Sequence, residues 1–275
     1  MVGEVSAVAI AGIIFSAVIA VGLPVVLLIL VKVKLHTRIA DAGIGAITFV
    51  LSALVLEQIL HGVMLNLLGE TLTGNIWLYA VYGGLAAGLF EETGRFIAMK
   101  SWMKKRLSKE SSIMYGLGHG GIEAMLIVGF TSISNLITAF MINSGQIESA
   151  FSGIEDGVGK ETAIQGLSVL WTTPGYQFFL AGVERISAIA LHICLSYLVY
   201  RAVKYGMKKF YFLAVGLHFF VDALTILLSN AVSIVTLEVI LLVVVAVLAL
   251  AVWKMYTGEG NRNIINNDVL PDLKK

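Results

Sequence analysis

The sequence predicts an all-α polytopic membrane protein with seven transmembrane helices, arranged as a bundle. Composition is the first observation behind this: of 275 residues, 58% are apolar and 13% charged, against about 25% charged in a typical soluble domain. The second is a mean hydropathy of +0.89. The third is that the apolar residues gather into seven runs, each long enough for the ~20 helical residues that cross a ~30 Å hydrocarbon core. Together they exclude an ordinary soluble globular chain and a disordered one. A formal net charge of +1 offers no basic field for nucleic acid, and the single cysteine, Cys194, excludes an intrachain disulfide.

The seven runs extend from Val5 to Val31, Ile44 to Leu68, Ile76 to Met99, Ser111 to Ile142, Gln177 to Tyr200, Phe210 to Ser229 and Val232 to Trp253. No positive charge precedes the first, and it is too long for a signal peptide, so it reads as a true span. The fourth is the longest and richest in glycine, which predicts tilt or interruption. These spans make up one membrane domain, residues 1–256, with a long loop at 143–176. A polar, Asn-rich tail at 257–275 is expected to lack regular structure.

Cationic residues set the expected orientation. Lys32, Lys34 and Arg38 follow span one; Lys100, Lys104, Lys105, Arg106 and Lys109 follow span three. Arg201, Lys204, Lys208 and Lys209 follow span five, and the tail carries Lys254, Arg262, Lys274 and Lys275. The opposite side has Lys160 alone. The N-terminus is therefore expected outside and the C-terminus in the cytoplasm of a cell membrane. The outer loop holds Glu148, Glu155, Asp156, Glu161 and an apolar patch from Leu167 to Trp171, which suits either a lid or an interfacial anchor.

Ionisable groups inside a bilayer cost at least ~2.5–3.5 kcal/mol each on insertion scales, so those present usually face the bundle interior. Counting from the cytoplasmic charges, Glu91 lies nine residues before Lys100, His119 nine after Glu110, His192 nine before Arg201 and His218 nine after Lys209. At 1.5 Å per residue each is about 13 Å deep. Four helices thus place one glutamate and three histidines in one layer, a coincidence scattered core residues have no reason to show. Within helices, residues four apart share a face, so Glu123 is expected over His119 and Asp222 over His218. Glycines 83, 84 and 88 with 116, 118, 120 and 121 suggest that the helices carrying Glu91 and His119 pack closely. Glu57 and His61, and Glu184 with Arg185, fall off the layer toward the outside and read as structural pairs.

A desolvated glutamate among imidazoles is suited to activating a water, and no serine or cysteine is placed as a nucleophile. The Glu91-Glu92 pair with Arg95, Tyr115 four before His119, and His218-x-x-x-Asp222 resemble the motifs of the type II CAAX prenyl protease and bacteriocin-processing superfamily. The segment Gly116-Leu117-Gly118-His119-Gly120-Gly121-Ile122-Glu123 narrows the resemblance to the YhfC family of intramembrane proteases, related to PrsW and to the scaffolding subunit of gamma-secretase. The resemblance implies a glutamic-type endopeptidase acting on a membrane-embedded or membrane-associated protein, with no cofactor. By position it makes Glu91 the general base, His119 its water-sharing partner, and His218 with Asp222 the oxyanion pair. Glu92 and Arg95 match supporting positions; Glu123 and His192 support the layer by spacing. CAAX proteases commonly have three residues between the glutamate pair and the arginine. Here only Thr93 and Gly94 intervene, which rotates Arg95 relative to the pair. Rival readings are a zinc site built from Glu91, His119, His192 and His218, a proton-coupled transporter and a catalytically inactive scaffold.

Overall fold

The computed structural model describes residues 3–152 and 157–269, by backbone alone at 152 and 260–269. It is helical, and its described residues contain no strand. The helices are α1 (Ala7–Lys34), α2 (Ile39–Thr73), α3 (Ile76–Ser101), α4 (Lys109–Asn143), α5 (Gln146–Ser152), α6 (Val158–Thr172), α7 (Gly175–Tyr205), α8 (Lys208–Ser229) and α9 (Ile234–Val269). Six of the seven long helices are apolar enough to cross a membrane. The exception, α3, has 26 residues, about 39 Å, but its second half carries Glu91, Glu92 and Arg95.

Local chemistry sets the boundaries. Ser6 caps α1 by accepting from the Ala9 amide, and the Asn75 side chain accepts from Trp77 and Leu78 at the start of α3. Ser108 and Ser111 cap α4 reciprocally. Gly206, at φ 68°, ends α7 in the left-handed region that glycine adopts without cost. The expected interruption of the fourth span is a π-helical turn at Met125–Gly129. Similar turns occur at Val18–Gly22 and Val50–Glu57.

Helix α7 is the hub, packing on α1, α4, α8, α9 and α3. Helix α3 lies along α8, and α4 lies between α2 and α7. The glycines do permit close approach, but to partners other than those expected. A methyl at Gly84 would meet the Phe219 carbonyl oxygen of α8 at 2.6 Å, and one at Gly118 would collide with the Ala42 backbone of α2. The helices bearing Glu91 and His119 are therefore held apart by backbone-tight neighbours on either side, and their side chains bridge the space. On the side of the cationic linkers, Met99, Met103, Leu195, Leu198 and Ala214 are completely buried and close that end of the bundle.

One peripheral expectation gains detail and another is corrected. Residues 143–176 include two helices, and α6 packs back on the bundle: its Leu170 is buried with Val5, Ala9, Ile13 and Ile142 at the ends of α1 and α4. Glu155 and Asp156 lie outside the described residues. The final helix runs past Trp253 and Thr257 to Val269. Beyond the expected end of the span, Glu259 accepts hydrogen bonds from Tyr197, Tyr200 and Tyr205 of α7, which is why regular structure continues there.

Candidate active site

Glu91 (α3), His119 (α4), His192 (α7) and His218 (α8) meet in the interior, none of them more than 6% exposed. His119 Nε2 donates to Glu91 Oε2 at 2.8 Å. The imidazole is held edge-on to Phe49, with ring centroids 5.3 Å apart, and its centroid lies 6.2 Å from that of Tyr115 one turn earlier. The His192 ring centroid lies 4.9 Å from that of His119, and His218 follows at 5.4 Å from His192. The two residues expected to share a water are in direct contact.

Arg95, which the short Thr93-Gly94 spacing places out of register with the pair, is completely buried inside this layer. Its Nη1 is 3.4 Å from Glu92 Oε1 and donates to the His192 carbonyl oxygen at 3.2 Å; its Nη2 reaches His192 Nδ1 at 3.1 Å. Since a guanidinium only donates, His192 Nδ1 is the acceptor and the ring proton sits on Nε2. That Nε2 lies 2.5 Å from Glu123 Oε2. Glu123 therefore serves His192 across the α4–α7 contact rather than His119 on its own helix, and its other oxygen accepts from Arg185 Nη1 at 2.8 Å. Arg185 also binds the neighbouring Glu184. The Glu184–Arg185 pair is thus present as expected, but it reaches into the layer.

His218 is oriented separately. Its Nδ1 donates to Glu92 Oε1 at 2.9 Å, which leaves Nε2 3.6 Å from Asp222 Oδ2 one turn on. A carboxylate behind one ring nitrogen fixes which nitrogen faces the working side.

A cavity of about 390 Å³ opens from the layer, away from the cationic linkers. Glu91, His192, His218 and Asp222 form its deep end. Glu123, Glu184 and Arg185 line one wall, and Glu57, His61 and Tyr82 line another. Glu57 and His61, which the sequence marks as a structural pair, are part of this cavity. His61 Nε2 is 3.2 Å from Glu57 Oε1, and its Nδ1 is 2.6 Å from the Tyr82 hydroxyl. The one signal in the sequence is their four-residue spacing; nothing in it indicates that the π-helical turn ending at Glu57 swings that face onto the layer. No described residue of α5 or α6 lines the cavity, so the lid reading of the outer loop has no support here.

Glu91, His119 and His192 each offer a ligand atom, and the three atoms lie within 4.8 Å of one another. A carboxylate with two imidazoles is a donor set that suits zinc. His218 is not part of that group; its two nitrogens face Glu92 and Asp222. Arg95 Nη2 already occupies His192 Nδ1, the nitrogen 3.9 Å from Glu91 Oε2. An ion coordinated there competes with a guanidinium for one of three ligands.

Comparison with known proteins gives two matches. The family model described as YhfC intramembrane metalloprotease matches residues 18–258. The uncharacterized membrane protein YhfC of Bacillus subtilis (strain 168) is 39% identical over 206 residues, 74% of this chain and 78% of the relative. No solved structure matches.

Proposed function

Because the chain belongs to the YhfC intramembrane metalloprotease family, whose model covers it from residue 18 to residue 258, we propose that it cuts a peptide bond inside the bilayer with a water that Glu91 deprotonates. That it is a multi-pass membrane peptidase follows from the family and from its apolar helices. The assignment of roles is ours. The observation that carries it is Glu91 itself, hydrogen-bonded on one side to His119 at 2.8 Å and lining the cavity on the other.

Glu91 takes a proton from water as the water oxygen attacks the scissile carbonyl carbon. Negative charge gathers on the carbonyl oxygen, and His218 donates to that oxyanion from Nε2 as an imidazolium, protonated on both ring nitrogens between Glu92 and Asp222. As the tetrahedral species collapses, Glu91 returns its proton to the departing amide nitrogen, so one carboxylate acts first as base and then as acid. Glu92 keeps His218 Nδ1 occupied, and Arg95 ties Glu92 to His192. His119 fixes the Glu91 rotamer, while Glu123 and Arg185 fix the His192 tautomer. The substrate is a membrane-embedded or membrane-associated polypeptide, and lipid surrounds the bundle. The bias of lysine and arginine supports an N-terminus outside and a C-terminus in the cytoplasm.

A zinc-dependent variant is the second reading, favoured by the family's description and by the three clustered donor atoms. Glu91, His119 and His192 would hold the ion, which would supply a Lewis acid and a more acidic water. Metal analysis of the purified protein separates the two. Hydrolysis that persists in metal-free protein supports Glu91 as base without an ion. Stoichiometric zinc, lost and regained together with activity, transfers the role to the metal.

The hydrolytic reading is tested by quantitative proteomics of membranes carrying wild-type or Glu91→Gln protein. The expected result is a membrane protein that accumulates uncut only in the variant. Identical cleavage patterns at matched expression would remove Glu91 as base.

A further inference from the structure

The proposed reaction fixes where water and peptide must meet, but not the side of the membrane from which they come. The lining of the cavity has a direction. Along α3 it runs from Glu91 to Tyr79, along α7 from His192 to Glu184, and along α8 from His218 to Ile226. Each of these paths leads away from the linkers rich in lysine and arginine. Exposure rises the same way. The side chains of Glu91, His192 and His218 at the deep end are 8%, 4% and 4% exposed. Those of His61, Glu184 and Asp222, farther along, are 27%, 29% and 34% exposed.

The other side of the layer is shut. Glu92 and Arg95 have no exposure, and neither have Met99 and Met103 farther along the chain. Tyr115, one turn before His119, and Leu195, three residues after His192, are equally enclosed. Arg95 closes the space between α3 and α7 with its hydrogen bonds to His192. No residue that lines the cavity lies on the linker side of Glu91, His192 or His218.

We propose that this centre is served from the extracytoplasmic side alone: water and substrate reach Glu91 through the outer end of the cavity, and the polypeptide it takes is one whose scissile bond is drawn inward from the outer membrane surface. This rests on the peptidase reading above and on the cationic bias that puts the linkers in the cytoplasm. From Tyr79 to Glu91 the helix rises about 18 Å, so the bond is cut that far below the outer end. About six residues of extended chain span the same depth. An intact helix of that length, about 10 Å across, displaces ~1,400 Å³, more than three times the cavity's volume of about 390 Å³. The substrate therefore enters unwound, as extracytoplasmic juxtamembrane chain or as the outer half of a membrane segment that gives up its helix. A bond in the cytoplasmic half of a membrane segment has no route to Glu91.

Access is tested on the full-length protein in sealed bacterial spheroplasts and in inverted vesicles. The probe is the membrane-impermeant cationic thiol reagent 2-(trimethylammonium)ethyl methanethiosulfonate, read by intact mass. The native thiol, Cys194, is buried and gives the background. Ala87→Cys on α3 and Thr225→Cys on α8 place a thiol on two walls of the cavity. Thr73→Cys and Ser101→Cys, both at exposed positions, mark the two ends of the bundle. The cavity thiols and Thr73→Cys are expected to react in spheroplasts, and Ser101→Cys only in inverted vesicles. Either cavity variant decides the matter if the other fails to reach the membrane. Cavity thiols that react in inverted vesicles, or in neither preparation while Thr73→Cys reacts, overturn the proposal, as does Ser101→Cys reacting from outside. Cut sites are then mapped by terminal proteomics of membranes carrying wild-type or Glu91→Gln protein. Cuts that depend on Glu91 should fall outside the membrane or in the outer half of membrane segments, and cuts in the cytoplasmic half overturn the one-sided supply. Labelling from outside without any Glu91-dependent cut counts against the peptidase reading and leaves the one-sided access standing.

Discussion

Glu91 and Glu259 are both buried carboxylates on long membrane helices, and each is held by side chains from another helix, but their surroundings differ in kind. Glu259 receives three phenol hydroxyls, Tyr197 at 2.8 Å on one oxygen and Tyr200 and Tyr205 at 2.7 Å on the other. Glu91 receives one imidazole at 2.8 Å and borders a cavity of about 390 Å³. The first carboxylate has its lone pairs satisfied by protein and serves to fasten the end of α9 to α7. The second keeps acceptor capacity toward a space where a water and a peptide can sit. Burial therefore does not by itself distinguish the two carboxylates; their hydrogen-bond shells do, and the proposed reaction uses the one that keeps a face toward the void.

Four measurements sharpen or break that contrast. The largest effect belongs to Glu91→Gln, nearly isosteric, which should lower turnover about 10²–10⁴-fold, the range of a general base, with the helical content and oligomer profile of the parent. Residual turnover close to wild type would erase the distinction between the two glutamates. Next, Glu92→Gln removes the negative charge that holds the His218 ring and pairs with Arg95, while leaving the contact of His218 with Asp222. Loss of such an orienting partner costs about 10–100-fold in metal sites, and a loss of that size is expected here in kcat, with KM little changed. A change confined to KM would mean that His218 binds substrate rather than stabilising charge. Third, Glu259→Gln should leave kcat within about twofold of wild type while lowering stability by about 1–3 kcal/mol, the cost of disturbing buried hydrogen bonds to a charged group; thermal unfolding in detergent measures it. Smallest is Tyr200→Phe, which removes one of the three hydroxyls and should cost about 1 kcal/mol by the same assay. A collapse of activity in either of these last two would link the far end of α9 to the site.

The depth of the site is legible in the sequence, and its wiring is not. Counting nine residues from the nearest cytoplasmic charge finds Glu91, His119, His192 and His218 on four helices, because a bilayer fixes a common vertical ruler. Spacing of four gives a shared face, but it does not say which neighbour that face meets. Asp222 stays with His218 at 3.6 Å, whereas Glu123 turns from His119 to His192 because α4 packs on α7. The two-residue gap rotates Arg95 relative to the glutamate pair without saying where its head goes. It reaches His192 because helix α7 comes close enough for a long side chain to bridge the distance. Spacing cannot place Glu57, His61 and Tyr82 in the cavity, since their entry depends on helix rotation set by tertiary contacts. All seven spans are helices of the structure, but the polar end of α9 resembles a tail in sequence. Nothing in Thr257–Val269 announces that Tyr197, Tyr200 and Tyr205 wait on α7 to receive Glu259.

The polarity of α3 bears on how the chain enters its membrane. Arg95 lies three residues from Glu92 and can neutralise it within the same turn, but the imidazoles that complete the set, His119 and His218, lie 28 residues beyond Glu91 and 126 beyond Glu92. At ~2.5–3.5 kcal/mol for each central charge on insertion scales, this segment is a poor candidate for independent partitioning when it leaves the ribosome. Its stable residence in lipid waits for α8 to be synthesised and dock, so integration of the first half of the protein is coupled to completion of the second. A nascent chain truncated before Lys208 should therefore hold α3 at the membrane surface or in the insertion machinery, without assembling the hydrolytic centre.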